Sequence, residues 1–469
     1  MKKDEFSEEI EGLEDNEELL EAKALLDSHI NDTIEDEMSG VDIVECLKII
    51  KRHDEKSYFE YLHTLDIESL SNASIEMPDY ILKDVIDLLP KDKLVEVVED
   101  LESDDQFEFL ENIDEIDGKK AREIFDDLSD EDKKDILKLS RYEDNQAGSY
   151  MQIELFKANA NETVMEAVDR LRDLRHADEI DYVYHLFVVD DKDVLKYSIP
   201  LADLIIYNFS LTLEEVVRSA KNEDFRPRSA LDTDDINEVA SEFQEHDMSV
   251  MPVVDSRGVL VGRITSDDIY DFIQESATEQ IYNLAGLNDE AEEEDISFAK
   301  AGKARAFWLC INLVTAFLAS FIIGFFDATL QKYVALAILM PIVASMGGNV
   351  GIQALTVTVR RLALGEIEYK DAKKVLKREI SIAVINGAIF AIAVALIASL
   401  WFKDHMLGVV IGLSMIINLS IAGFCGAAIP IILKKFKIDP AVGSSIILTM
   451  MTDIIGFFSF LGLATWILV

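Results

Sequence analysis

Residues 441–468 read AVGSSIILTMMTDIIGFFSFLGLATWIL, an apolar run whose one charged residue, Asp453, lies near its middle. About 20 such residues cross the hydrocarbon layer of a bilayer, so the stretch predicts a membrane-spanning helix. An acid inside it costs several kcal/mol unless it faces water, a cation or a partner, and is a functional candidate by default. Ser445, Thr449, Thr452, Asp453, Gly456 and Ser459 recur at steps of three and four, which draws one small, polar stripe down the helix. A protonated or paired aspartate that serves only helix packing is the competing reading.

Four more apolar runs precede it, at about 305–326, 332–358, 378–402 and 405–433, each long enough to span. The positive-inside rule orients them. With the N-terminus in the cytosol, the loop after the second run carries Arg360, Arg361, Lys370, Lys373, Lys374, Lys377 and Arg378, and the loop after the fourth carries Lys434, Lys435 and Lys437. The opposite loops hold only Asp327, Lys332, Lys403 and Asp404 at their edges, so the C-terminus is expected outside the cytosol.

The second run, MPIVASMGGNVGIQALTVTV (340–359), has its own stripe of Pro341, Ser345, Gly348, Asn349, Gln353 and Thr356. Gly347-Gly348-Asn349 predicts a break that frees carbonyls at membrane depth, which is tolerated only beside protein or a water-filled cavity. Small residues at this spacing also let helices pack closely. Asn386, Ser414 and Asn418 in the third and fourth runs read as interhelical hydrogen bonders. Polar stripes with a single central acid suit a hydrated divalent cation such as Mg2+, which gives up its waters reluctantly and is held by one or two carboxylates. One Asp453 per chain is thin for that work, and a symmetric dimer places two on a shared axis.

Ahead of the spans the composition changes. Residues 301–469 carry 14 Lys and Arg against 8 Asp and Glu, whereas residues 1–300 carry 30 against 82. Such acidity disfavours nucleic acid, whose phosphates demand Lys and Arg, and favours solvation or inorganic cations. Cys46, Cys310 and Cys425 form neither a disulfide framework nor a CxxC metal site. The opening MKKDEFSEEIEGLEDNEELLEA has no apolar core of a signal peptide, so the acidic part is expected in the cytosol.

Residues 1–142 show apolar residues at helical spacing in segments of roughly a dozen, as a helical solenoid or a generic helical bundle requires. Two copies of a β-α-β-β-α pattern follow. The first contains TVMEAVDRL and VYHLFVVDDKDVLKYSIPLADLI, the second DINEVASEF and MSVMPVVDSRGVLVGRITSDDIYDFI, with strands ending in Val-Val-Asp at Asp190 and Asp255. Paired repeats of this kind resemble tandem CBS domains. In the second copy Gly262, Thr265 and Asp268 match the motif that holds a nucleotide ribose, and ATP is the candidate ligand this resemblance implies; the first copy has Tyr197 and Pro200 where the glycine and hydroxyl belong. A helix from about Gln274 to Gly302 is expected to join the repeats to the spans. Asp267, Asp268, Asp271, Glu275 and Glu279 lie at helical spacing along its approach, with Glu292 to Asp295 beyond. Close like charges repel unless cations intervene; a solvated charge run is the bland alternative.

An acidic helical domain, tandem CBS repeats, a connecting helix and five spans, with MGGNVGIQ in the second and DPAVGSS…TMMTDIIG in the fifth, resemble the MgtE magnesium channels over essentially the whole chain. The resemblance implies a multidomain fold: an all-α solenoid N domain over 1–142, CBS repeats over 143–208 and 209–275, a plug helix over 276–302 and an all-α five-helix pore domain over 303–469. It implies a homodimer with its pore on the two-fold axis, lined by the second and fifth spans, with Asp453 holding hydrated Mg2+ and Asn349 at the matching position; the stripes add Gly348, Gln353, Thr449 and Thr452 as pore candidates. Asp247, Asp268, Asp271 and Glu279 are the Mg2+-sensing acids the resemblance implies by position, and Glu275 joins them as a candidate by its helical spacing. A position acidic in relatives is Gln280 here, Met151-Gln152 stands where relatives have Thr-Pro after the Met, and Ile352 replaces a more polar residue.

The function implied is a non-enzymatic, Mg2+-selective uptake channel of the plasma membrane, closed by cytosolic Mg2+, with Mn2+, Co2+ and Zn2+ as competing ions. An ion-coupled transporter or exporter working by Na+/Mg2+ exchange is the alternative. A metalloprotease requires an HExxH helix that the seven scattered histidines do not supply. A CBS-gated signalling protein gives no reason for Asp453.

Overall fold

Acidic turns in the N-terminal part serve as helix caps. Asp54 and Asp66 accept from the backbone N–H of Ser57 and Ser69 (3.2 and 2.9 Å) and so open helices α3 (Glu55–Thr64) and α4 (Ile67–Ser74). A carboxylate there meets both the unpaired N–H groups and the positive end of the helix dipole. The computed structural model describes residues 17–31, 33, 38–177, 180, 183–220, 225–285, 287, 298–363, 367, 371–436 and 438–469. They divide into two units, Met1–Ile269 and Tyr270–Val469.

The first unit begins with α1 (residues 17–30), α2 (Gly40–His53), α3 and α4. It continues through α5 (Asp79–Leu88), α6 (Lys91–Asp100), α7 (Ser103–Asp127, bent at Asp117) and α8 (Asp130–Leu139). Contacts run to near neighbours: α2 with α3 and α4, α4 with α6, α5 with α7, and α7 with α8. This progression is solenoidal, and Leu47, Ile50, Tyr58, Leu62, Leu70, Ile81, Val98, Phe109 and Ile113 fill its spine.

Two small sheets follow, of strand order β1-β2-β3 and β4-β5-β6. The first comprises β1 (Lys157–Asn159), β2 (His185–Val189) and β3 (Leu195–Pro200), with α9 (Val164–His176) between β1 and β2 and α10 (Leu201–Leu204) and α11 (Leu213–Ser219) after β3. The second comprises β4 (Ala230–Leu231), β5 (Val250–Val254) and β6 (Leu260–Thr265), with α12 (Ile236–His246) after β4. In each sheet the first pair is parallel and the second antiparallel, and the register slips at equivalent places, Val188/Val189 and Val253/Val254. Val188 pairs with Tyr197 as Val253 pairs with Gly262, and His185 pairs with Pro200 as Val250 pairs with Thr265. The substitutions noted in the first repeat therefore occupy the structural positions of the motif.

Helix α13 (Ser266–Ala285) leaves β6 directly, eight residues before the expected start of a connecting helix, and its first turn is tied to the end of β6 by the bonds from Thr265 N and Oγ1 to the Asp268 carboxylate. The expected helix to Gly302 is not one element: α13 ends at Ala285, residues 288–297 with the Glu292–Asp295 run lie outside the described residues, and α14 starts at Phe298.

In the second unit α14 (Phe298–Gly324) is followed by a short α15 (Asp327–Lys332), then α16 (Val334–Ala363), α17 (Ala372–Phe402), α18 (His405–Lys435) and α19 (Ser444–Leu468). Five of these are long and apolar enough to cross a membrane, and α18 is the most buried. α18 packs against α16, α17 and α19. Phe317, Phe321, Ile385, Leu396 and Trp466 stay exposed, the outward apolar surface that lipid covers. The predicted break at Gly347-Gly348-Asn349 is absent: α16 is continuous through it. Close packing is the reason for Gly347, and for Gly351 after it, instead. A Cβ on Gly347 would lie 2.3 Å from Asn418 Nδ2 and one on Gly351 would lie 2.9 Å from Leu448, whereas Gly348 faces open space.

Candidate functional site

Helix α19 sorts its small and polar residues onto two sides. Thr452 and Gly456 are buried, while Ser445 and Asp453 are half-buried and Thr449 is exposed. Thr449 and Thr452 turn their hydroxyls back to carbonyls of their own helix, those of Ser445 and Thr449 (2.9 and 3.0 Å). This leaves hydroxyl oxygens as acceptors along the helix without breaking it. On α16 the same division holds. Gly347, Gly351 and Thr358 face inward, and Ser345, Asn349, Gln353 and Thr356 form an exposed polar face at helical spacing. Gly348 is half-buried beside Asn349. Of the predicted pore residues Thr452 is therefore the one turned into the bundle, and the remainder lie on open or half-open surface.

An exposed polar face at membrane depth cannot be left to hydrocarbon, where amides and hydroxyls lose their hydrogen-bond partners. The inner sides of α16 and α19 are tightly packed: Gly426 of α18 approaches α16 so closely that a Cβ there would meet the Gly351 carbonyl oxygen at 2.5 Å, and a Cβ on Gly351 would meet Leu448 of α19 at 2.9 Å. The polar sides of α16 and α19 are thus presented by a rigid support.

The first unit holds a second constellation, at the start of α7. Asp104 is buried and Asp105 and Glu102 are half-buried, and Asp104 and Asp105 lie close enough to feel the charge of Asp268 at the end of the second repeat. Burial, and next the Asp268 charge, hold the Asp104 and Asp105 carboxyls well above the ordinary carboxylate range. Burial also raises Asp268, opposed by the hydrogen bonds it accepts from Thr265 N and Oγ1 (3.0 and 2.5 Å). Neighbouring bonds join these parts. Ser103 Oγ donates to Glu154 (2.9 Å) and accepts from Ile153 N (2.9 Å), Lys138 Nζ donates to the Val261 carbonyl (2.8 Å), and the buried Arg263 reaches Gln152 (2.9 Å) and Glu102 (3.4 Å). Sequence reasoning named Asp268 but missed Asp104 and Asp105. LESDDQF looks like any other acidic turn until its burial is known.

The other predicted sensing acids are distributed along α12 and α13. Asp268, Asp271, Glu275 and Glu279 follow one side of α13 by their spacing. Glu279 accepts from Asn283 Nδ2 (3.1 Å), which also donates to Asp439 (3.1 Å) just ahead of α19. Asp247 ends α12 in the left-handed conformation (φ 49°). Beside it Glu242, Glu245 and His246, all exposed, bring ligand atoms within 4.8 Å of one another. Gly262 of the nucleotide motif is covered: a Cβ there would lie 2.7 Å from Met151 Sδ and 2.8 Å from the Gln152 carbonyl oxygen.

Comparison with known proteins accounts for this combination. A family model described as a divalent cation transporter, MgtE, matches residues 340–463, the MgtE intracellular N domain matches 38–145, and a CBS domain matches 224–275. The magnesium transporter MgtE of Thermus thermophilus is 30% identical over 345 residues, which cover 72% of this chain and 73% of that protein. The chain belongs to the MgtE family. The MgtE magnesium transporter of Bacillus subtilis is 30% identical over 71% of this chain and 72% of its own, and that of Enterococcus faecalis 29% over 69% of each. Among solved structures, the cytosolic domain of the Mg2+ channel MgtE in complex with ATP matches 50% of this chain and 91% of that one, at 26% identity and TM-score 0.45. Membership makes the chain a multi-pass membrane transporter and not an enzyme, with an MgtE N domain, CBS repeats and five apolar helices.

Proposed function

We propose that this protein is a Mg2+ uptake channel of the plasma membrane, a homodimer whose pore lies between the polar faces of α16 and α19 of the two copies. The observation that carries the reading is the outward polar face Ser345, Asn349, Gln353 and Thr356 of α16, together with the open or half-open Ser445, Thr449 and Asp453 of α19, which packs against α16, on helices otherwise dressed for lipid. A second copy laid over it along a two-fold axis covers that surface and brings two Asp453 carboxylates to one cation. Hydrated Mg2+ is the natural occupant, with Asn349, Gln353 and the hydroxyls receiving hydrogen bonds from its waters. The membership of the chain in a family whose named relatives are magnesium transporters supports the choice of ion. The basic loops orient the N-terminus and both acidic domains to the cytosol.

Closure follows from the acids. Cytosolic Mg2+ bound at Asp104, Asp105 and Asp268, and along Asp247, Asp271, Glu275 and Glu279, holds the N domain, the repeats and α13 in a shut arrangement; loss of Mg2+ lets like charges separate them. A nucleotide at Gly262, Thr265 and Asp268 would have to displace Met151 and Gln152, which cover the glycine, and to part Thr265 from the acid it engages.

The deciding measurement is flux into liposomes bearing the full chain. Asp453→Ala is expected to abolish Mg2+ uptake, and millimolar internal Mg2+ to reduce it; unchanged uptake in the variant removes the pore assignment. Currents that reverse at the Mg2+ equilibrium potential support a channel, whereas strict Na+ dependence selects the exchanger.

A further inference from the structure

Asn418 stands in the middle of α18, the central helix of the spans, with none of its surface exposed. Its Nδ2 donates to the Val343 carbonyl of α16 at 2.8 Å, a carbonyl that the helix ladder already supplies with the Gly347 N–H. The same amide group lies against two glycines on different helices. A Cβ on Gly347 of α16 would come within 2.3 Å of Nδ2, and a Cβ on Gly456 of α19 within 2.8 Å. Only glycine leaves room for the amide on both sides. The other half of the amide is unpaid: Oδ1 has no hydrogen-bond partner among the described residues, and sits 3.2 and 3.1 Å from those two Cβ positions.

A buried acceptor without a donor costs about 1–3 kcal/mol, and replacing such a group by an apolar one of the same size is often neutral or stabilising. Stability therefore does not explain the asparagine. Its location does. Gly347 precedes Asn349 by two residues, and Gly456 follows Asp453 by three, within one turn. The amide is wedged between the inner sides of the two helices whose outer sides carry the polar faces.

We infer that Asn418 is a positioning residue for ion passage: seated between Gly347 and Gly456 and tied to Val343, it fixes the register and spacing of α16 and α19, and with them the placement of Asn349 against Asp453. It touches no ion itself. This inference rests on the reading that α16 and α19 line the pore.

The test uses the full chain in liposomes, with Asn418→Leu as the main variant and uptake of Mg2+ and Co2+ measured in parallel. Leucine fills the space of the amide without its donor. The expected result is a protein that is at least as resistant to heat in detergent, with Mg2+ uptake reduced about tenfold, as the loss of one buried directional bond allows, and with a changed ratio of Co2+ to Mg2+ uptake. A merely structural role moves heat resistance and leaves that ratio alone. Where Asn418→Leu is not recovered folded, Asn418→Ser carries the same comparison. A second arm is Gly456→Ala, expected to lose uptake through collision with the amide and to regain it in part when combined with Asn418→Ala. A folded Asn418 variant with unchanged uptake and an unchanged ion ratio overturns the inference, as does a Gly456→Ala defect that Asn418→Ala does not relieve. Asp453→Ala in the same assay separates the two levels: normal conduction there removes the pore reading, while its loss beside an indifferent Asn418 removes the positioning role alone.

Discussion

At the scale of single residues, the glycines of the membrane unit divide by what stands opposite them. Gly426 faces backbone: a Cβ there would meet the Gly351 carbonyl oxygen at 2.5 Å and the Leu355 nitrogen at 3.1 Å, neither of which can rotate away. Gly348 faces nothing within 4 Å. Small residues at such crossings let helix backbones approach, and overfilling them costs about 1–3 kcal/mol. Gly426→Ala is therefore expected to lower the heat resistance of the detergent-solubilised chain and its yield, with Gly348→Ala close to the parent protein in both. Equal losses in the two variants contradict the packing account. Helical spacing and a bilayer's thickness made the spans, Asp453 and the polar stripes legible in the sequence. It did not disclose which glycine packs and which is open, because period alone does not say which neighbour each face meets. The expected break at Gly347-Gly348-Asn349 failed for that reason: glycine demanded by a neighbouring amide looks the same in one dimension as glycine demanded by an unwound turn.

At the scale of elements, α13 ends in a contact that links Glu279, one of the proposed sensing acids, to the entry of α19. Asn283, 7% exposed, donates to both Glu279 and Asp439, and Asp439 in turn accepts from the Ala441 N–H at 2.9 Å, shaping the turn before Ser444. A helix whose displacement must reach the pore needs a directional link of this kind, since apolar contacts slide. One such bond contributes about 1 kcal/mol net, or roughly a fivefold change in an equilibrium. Asn283→Ala is expected to keep maximal uptake and to raise several-fold the internal Mg2+ that half closes the channel, read from flux against internal Mg2+. An unshifted inhibition curve breaks the link between α13 and closure. The acids on α13 were legible by their spacing, whereas Asn283 was not, because an uncharged residue among acids carries no signal until its two partners are placed.

At the scale of the whole molecule, the excess of acid becomes a linkage between protons, Mg2+ and compactness. Asp104, Asp105 and Asp268 have carboxyls raised in the folded unit relative to an ordinary value near 4, by burial first, with the Asp268 charge next for Asp104 and Asp105 and the Asp267 charge adding to it for Asp268 against the Thr265 hydrogen bonds. The folded unit therefore holds protons that the opened unit releases. Stability from this source is complete below about pH 4, falls as pH rises through the raised values, and is gone above them. If the proposed sensing cation binds here it takes the ionised form, so its stabilising effect should grow with pH and its binding should release protons. In EDTA, thermal unfolding of the full chain followed by circular dichroism is expected to move to lower temperature between pH 5.5 and pH 8. Added Mg2+ should restore more at pH 8 than at pH 5.5. Asp104→Asn combined with Asp105→Asn should flatten both trends, since the amides neither hold the protons nor attract the cation. A melting temperature indifferent to pH in EDTA, or a Mg2+ effect of equal size at both pH values, would separate these carboxyls from the sensing of Mg2+ and leave them as charge that the fold merely tolerates.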